Sequence, residues 1–263
     1  MAGRCRFLEN IVITGAEGFI GRNLIEKLMK VPTWTIKAFD RNDNHKTLEK
    51  YLQQADSLIH LAGVNRPQKI KEFEQVNFGL TKTIAKTLER YRKVIPIIFS
   101  SSIQVLMNNP YGNSKKRAEE ILIEYNKKTS APIYIFRFPN IFGKGCRPNY
   151  NSVVATFCYN IARGKEILIH DPRKIIELVY IDDVIRSIGL ILSNKDFFLS
   201  HTNYYYQVKP VYQITIAELA EKIYHLKEMY NQGVDVADLS DDFMKSLYKT
   251  YISYENINPY IEM

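Results

Sequence analysis

The chain has 263 residues, 46% apolar and 24% charged, and its 36 Lys and Arg against 28 Asp and Glu give a net charge of +8. This composition excludes a disordered chain and suits one substantial globular domain, or one domain with a small appended lobe. No apolar stretch nears the ~18 residues of a membrane span, and the polar residues 1–10 do not read as a signal peptide. The positive balance lacks the aromatic-interleaved basic runs of a nucleic-acid module and suits a small molecule that carries phosphates. Cys5, Cys146 and Cys158 have no metal-ligand spacing, which points to reduced thiols in a cytoplasmic protein and to no metal site.

In chain order, residues 11–14 are a short apolar run ending at Gly15, and 18–29 show helical periodicity. Residues 35–39 are a second strand, followed by the polar stretch 40–46. Residues 57–61 make a third strand, closed by Ala62-Gly63. A long helix is expected over 71–91, with Phe73, Val76, Leu80, Ile84 and Leu88 on its apolar positions. Residues 95–99 are a fourth strand that runs into Ser100-Ser101-Ser102; 112–128 are helical and 133–136 form another strand. Nearly continuous apolar strands alternating with helices predict an α/β fold, a doubly wound parallel sheet covered on both faces. Ligands of such a sheet lie outside the carboxyl ends of its strands.

Past residue 138 the rhythm loosens. Residues 139–151 are a loop rich in Gly, Pro and Asn, 151–163 read as a helix, and a strand and helix return near 167–193. Terminal helices are expected over 216–230 and 239–249. The chain therefore reads as one unit over 1–263, with 10–138 mainly binding cofactor and 139–263 forming a small C-terminal lobe mainly for substrate.

Gly15-Ala16-Glu17-Gly18-Phe19-Ile20-Gly21 follows a strand and opens a helix. Gly15 allows the tight turn, Gly18 lets backbone approach a pyrophosphate, and Gly21 lets the helix pack close; the anion then meets the helix N-terminus at Phe19 and Ile20. Asp40 and Arg41 end the second strand. A carboxylate there accepts ribose hydroxyls of NAD, and a neighbouring Arg meets the 2′-phosphate of NADP, so both cofactors stay open at this point.

Tyr111-Gly112-Asn113-Ser114-Lys115 places a phenol and an ammonium four residues apart on one helical face. Hydride transfer to a carbonyl needs a proton donor, and a nearby cation is expected to lower the Tyr111 phenol from its ordinary value near 10. A serine at the preceding strand end can orient the carbonyl and stabilise developing charge.

The Gly-x-x-Gly-x-x-Gly spacing resembles that of the extended short-chain dehydrogenase/reductases, a Rossmann-type family. Asp56-Ser57-Leu58-Ile59-His60-Leu61-Ala62-Gly63 is similar to another of its segments. This implies that Asp56 lies near the adenine and that Leu61, Ala62 and Gly63 line the cofactor cleft; His60, on an apolar strand, reads as a satisfied core histidine. Asn77 resembles the asparagine of the family's next helix. Arg137-Phe138-Pro139-Asn140-Ile141-Phe142-Gly143 and Tyr180-Ile181-Asp182-Asp183-Val184 resemble its later loop and segment, which brings Arg137 and Pro139 to the cofactor and Asn140 to the substrate. By the family's serine spacing Ser102 is the third catalytic residue and Ser101 the runner-up. Lys115 is implied to bond the nicotinamide ribose as well.

The dehydratases of this family carry Asp-Glu directly after the catalytic serine or threonine. Here Ile103-Gln104 stand there, so elimination is not expected. Residues 61–67, 100–104 and 144–158 resemble the reductase domain of bifunctional capsular-polysaccharide enzymes on the UDP-N-acetyl-L-fucosamine route. That resemblance implies NADPH-dependent reduction of the 4-keto group of a UDP-2-acetamido-2,6-dideoxy sugar. It favours NADP(H) over NAD(H), and it implies a homodimer. The chain stops near where the family's zinc-binding cupin would begin, so C3 epimerisation is not expected of these residues; a separate cupin-type partner or a longer form of the chain would supply it. In the loop, Lys144 and Arg147 can meet a diphosphate, while Asn149, Asn151 and Ser152 offer hydrogen bonds to sugar or uracil. Ile176 stands where the family usually has an arginine. Two alternatives remain: an NAD-dependent nucleotide-sugar C4 epimerase, and a non-catalytic cofactor sensor or scaffold.

Overall fold

A computed structural model of the chain describes residues 8–194 and 203–256; Cys5 lies outside them. By compactness they divide into two units. The first comprises Met1–Phe138 and Ile185–Gln207, and the second Pro139–Val184 and Val208–Met263.

The first unit is built on six strands. β1 (Glu9–Thr14), β2 (Trp34–Phe39), β3 (Ser57–His60), β4 (Ile97–Ser102), β5 (Ile133–Phe138) and β8 (Tyr205–Tyr206) lie in the order β2-β1-β3-β4-β5-β8, every pair parallel. Apolar residues occupy both faces of the central strands, as a sheet covered on both sides requires. Val12, Leu58, Ile97, Phe99, Ile133 and Ile135 join one core with Leu48, Leu52, Ile84, Leu88, Ala118 and Leu122. The intervening Ile11, Ile13, Ile59, Ile98, Tyr134 and Phe136 are also buried.

Helices α1 (Phe19–Leu28), α2 (His45–Gln54), α3 (Leu80–Arg90) and α4 (Pro110–Thr129) link successive strands. α2 has no counterpart in the sequence reading: only Leu48 and Leu52 are buried on it, too few for a visible period, although Asn44 caps it by accepting the Thr47 N–H at 2.9 Å. The single helix expected over 71–91 is a π-helical segment, Phe73–Gly79, running into α3. In this segment of i→i+5 hydrogen bonding Asn77 faces inward and is 1% exposed.

The second unit holds β6 (Asn140–Phe142), β7 (Ile175–Tyr180) and β9 (Tyr212–Thr215), with β6 parallel and β9 antiparallel to β7. β6 arises inside the expected loop 139–151, and its three residues are too short to signal a strand. α5 (Val153–Ala162), α7 (Ile216–Asn231) and α8 (Asp242–Glu255) pack together, the Tyr254 phenol donating to the Cys146 carbonyl and Lys227 Nζ to the Ile161 carbonyl. α6 (Ile181–Ser193) follows β7 directly. Among the described residues no helix is long and apolar enough to cross a membrane.

Candidate active site

The glycine turn follows β1 and leads into α1. Gly15 has φ +72°, and a Cβ there would stand 2.6 Å from the Ala62 nitrogen, so only glycine lets this turn lie against the end of β3. A Cβ on Gly21 would stand 2.3 Å from the Gly15 carbonyl oxygen, which is what seats α1 on the turn. No side chain caps α1 at Gly18, and its first turn carries no acidic residue. Its N–H groups and positive dipole end therefore offer a built seat for a pyrophosphate. These features fit a dinucleotide, with Gly15, Gly18, Phe19, Ile20 and Gly21 placed to hold its phosphates.

At the end of β2, Asp40 accepts the Glu17 N–H at 2.8 Å and the Arg41 N–H at 2.7 Å, one on each carboxylate oxygen. The carboxylate is thus tied across to the glycine turn, while Arg41 is exposed. Asp56 does not join this group. It precedes β3 and accepts the Asn10 N–H at 2.8 Å, at the amino end of the sheet. The register Ile11↔Ser57 to Thr14↔His60 sets Asp56 level with Asn10, five residues and about 16 Å along the strand from Gly15. The family-like segment matched in sequence, but parallel pairing puts its first and last residues at opposite ends.

His60 is fully buried and held on both nitrogens, Nδ1 by Thr14 Oγ1 at 2.7 Å and Nε2 by Thr81 Oγ1 at 2.9 Å. Thr81 donates its own proton to the Asn77 carbonyl at 2.7 Å, so it must accept from His60 Nε2–H. Thr14 accepts the Ala62 N–H and donates to Nδ1. Burial, with Lys115 nearby, lowers His60 from 6.5 to about 3 and keeps it neutral. It is a core histidine that ties the end of β1 to the π segment.

Asn77 works beside it. Its Oδ1 accepts the Val64 N–H at 2.8 Å, and its Nδ2 donates to the Val64 carbonyl at 3.0 Å and to Ser114 Oγ at 2.9 Å. That pins the loop after Gly63 to α4. A Cβ on Gly63 would stand 3.0 Å from Asn77 Oδ1 and 3.5 Å from Lys115 Nζ, so Gly63, Asn77 and Lys115 meet at one point.

α4 starts at Asn109, whose side chain accepts the Gly112 N–H at 2.8 Å, with Pro110 in the first turn. Its inward face carries Tyr111, Lys115 and Glu119. Lys115 is 3% exposed, with Nζ 4.5 Å from the Phe99 ring centre; burial lowers it from 10.5 to about 8, opposed by the charge of Glu119. The Tyr111 phenol faces the Ser102 hydroxyl. The expected lowering of Tyr111 is not found. Burial raises it above its ordinary value, and the Ser102 hydrogen bond only partly opposes this.

β4 extends through all three serines, and alternation separates them. Ser102 meets Tyr111 and accepts the Gln104 N–H at 3.2 Å. Ser101 points the other way and donates to Glu119. Of these two serines, Ser102 is therefore the one beside the Tyr111 phenol. Arg137 also departs from expectation: its Nε and Nη2 reach Glu119 at 3.0 and 2.6 Å, and its guanidinium lies 3.9 Å from the Tyr205 ring centre. Those donors are committed inside the unit and are not offered to a cofactor.

In the second unit Pro139 precedes β6, and Asn140 donates to the Glu177 carbonyl at 3.1 Å. Lys144, Arg147, Asn149 and Asn151 are exposed, with Arg147 5.4 Å from the Tyr150 ring centre. Asn149 has φ +53° and its N–H donates to Thr156 Oγ1 at 2.9 Å. Ser152 caps α5 by accepting the Ala155 N–H at 3.2 Å, which already explains a serine there.

The strand order and glycine turn of the first unit define a Rossmann-type α/β protein. The chain belongs to the NAD dependent epimerase/dehydratase family, whose model matches residues 11–205. It is 40% identical over 244 residues to the UDP-2-acetamido-2,6-beta-L-arabino-hexul-4-ose reductase of Pseudomonas aeruginosa, covering 93% of this chain and 64% of that protein. The chain thus spans just under two thirds of that relative. Among solved structures it is similar to the capsular polysaccharide assembling protein CapF from Staphylococcus aureus, with TM-score 0.83, 39% identity, and 97% and 67% of the two chains covered. A UDP-glucuronic acid 4-epimerase from Bacillus cereus, solved with NAD, shares the fold at TM-score 0.79 and 18% identity over 94% and 98% of the chains.

Proposed function

We propose that the chain catalyses NADPH-dependent reduction of the 4-keto group of a UDP-linked 2-acetamido-2,6-dideoxy sugar. The observation that carries this reading is the half-buried Tyr111 hydrogen-bonded to buried Ser102, one helical turn from buried Lys115, in a chain 40% identical to a named hexul-4-ose reductase. When bound, the nicotinamide supplies a hydride to the carbonyl carbon. Tyr111 gives its proton to the carbonyl oxygen, and Ser102 hydrogen-bonds that oxygen while charge develops on it. The raised phenol fits this direction of reaction, since a proton donor must start protonated. Lys115 then stabilises the phenolate left behind, which is a larger effect in a dry site than in water.

Arg41 supports the preference for NADPH. It is exposed at the end of β2, and both oxygens of Asp40 already hold backbone N–H groups. Lys144 and Arg147 are assigned to the diphosphate, a role that rests on their charge and sequence context. Gln104 is exposed and Ile103 opens a 3-10 turn where dehydratases carry acids, which supports reduction over elimination.

The test is a panel of UDP-4-keto-6-deoxy sugars with NADPH and NADH, read by loss of reduced-cofactor absorbance. Turnover with NADPH and a 2-acetamido sugar is expected. A folded, cofactor-binding protein that oxidises neither cofactor with any of them overturns the reading.

A further inference from the structure

Hydrogen bonds from three side chains converge on one carboxylate that touches none of the reacting groups. Glu119 is 1% exposed and stands one helical turn beyond Lys115 on the inward face of α4. Ser101 donates to its Oε1, Arg137 reaches both oxygens at 3.0 and 2.6 Å, and the Tyr205 phenol bonds it as well. The cluster spans β4, α4, β5 and β8. A buried ion pair is weak support for a fold, because apolar packing of the same volume commonly serves as well. Its presence beside the site therefore calls for another reason.

Lys115 provides one, because a buried ammonium needs a counter-charge. The groups around it are Tyr111 on its own helix, neutral His60 on β3, the Phe99 ring on β4, and Asn77 on the π segment. The remaining charged pair on that side, Glu74 with Arg117, is closed on itself at the surface. Among the described residues of the first unit, Glu119 is the buried carboxylate, one turn from Lys115; it is shared with Arg137, so its loss also leaves the Arg137 charge uncompensated.

We propose that Glu119 is a positioning residue that keeps Lys115 as an ammonium in the site, its carboxylate being fixed in place by Ser101, Arg137 and Tyr205. This rests on the reading of Lys115 as the partner of Tyr111. Burial already pulls Lys115 down to about 8, and Glu119 opposes that fall. Removing its charge lowers Lys115 by roughly one further pH unit, and cuts its charged fraction at neutral pH by about half.

The direct measurement is the Nζ resonance of Lys115 in the cofactor-free, lysine-labelled full chain, assigned by its loss in Lys115→Met and titrated in wild type, Glu119→Gln and Glu119→Asp. The expected midpoint falls by about one unit in Glu119→Gln and returns towards wild type in Glu119→Asp. The basic limb of keto-sugar reduction should move by the same amount, whereas a purely structural loss lowers the plateau without moving the limb. An unchanged or raised midpoint in folded Glu119→Gln overturns the proposal. If that variant does not fold, the wild type decides: the Glu119 carboxyl-carbon resonance inflects at the Lys115 midpoint if the charges are coupled, and a flat trace overturns the proposal. A wild type that reduces no UDP-4-keto sugar defeats the functional reading alone, since the resonance titrations use neither cofactor nor substrate.

Discussion

Replacing Gly112 by alanine probes the contact that sets Tyr111 against Ser102. In an ordinary helix alanine is favoured over glycine by roughly 1 kcal/mol, and the N–H that Asn109 caps would survive the change. Here, however, a Cβ would stand 2.1 Å from the Gln104 carbonyl oxygen, 2.9 Å from its carbon and 3.0 Å from the Met107 oxygen. All three are backbone atoms, so no side chain can rotate away. Restoring the 3.4 Å of ordinary contact from 2.1 Å needs a displacement of 1.3 Å. That displacement falls between Gln104, two residues after Ser102, and Gly112, next to Tyr111. Overpacking of this kind costs about 1–3 kcal/mol, enough to outweigh the helix gain and to lower Tm by a few degrees. A shift of about 1 Å in a reacting group costs on the order of 100-fold in turnover. Calorimetry, NADPH titration and keto-sugar turnover should show a lowered Tm, nearly intact cofactor binding and a kcat down about 100-fold. A variant with unchanged or raised Tm and wild-type kcat would refute the reasoning.

Tyr111→Phe should lower turnover by at least ~100-fold with cofactor affinity retained, since only the proton donor is removed; equilibrium NADPH titration beside steady-state rates checks this, and retained activity removes Tyr111 from the mechanism. His60 makes stability fall with acidification. Its folded value of about 3 lies below the unfolded 6.5, so its contribution is complete above 6.5 and is lost as pH falls towards 3. Between pH 6.5 and 5 that amounts to about 2 kcal/mol, and thermal melts of His60→Gln should be flatter over this window than those of wild type; equal slopes would remove His60 as the cause. Arg41→Ala should weaken NADPH binding by about tenfold and leave NADH binding nearly unchanged, as fluorescence titration of both cofactors would report; equal losses would move the 2′-phosphate contact elsewhere.

Whatever depended on local backbone demands was legible in the amino-acid sequence. Gly15 and Gly21 announce the turn because a Cβ at either position would strike backbone, and that requirement leaves the same spacing wherever such a turn is built. Apart from α2 and β8, the order of strands and helices in the first unit, the Tyr111–Lys115 pair and the core character of His60 follow from apolar runs and the 3.6 period read along the chain. Tertiary structure alone decided the rest. Asp56 left the cofactor group because parallel pairing with β1 puts it at the amino end of the sheet. Alternation implies that Ser101 and Ser102 face opposite ways, but only the seating of α4 on the sheet determines that Ser102 meets Tyr111 and Ser101 meets Glu119. Arg137 resembled a cofactor ligand in sequence, and its commitment to Glu119 and Tyr205 needed β5, α4 and β8 brought together from distant parts of the chain. The sign of the Tyr111 shift was of the same kind: the sequence suggested a lowering by the neighbouring cation, whereas burial, a property of the packed protein, sets the direction and the Ser102 hydrogen bond opposes it.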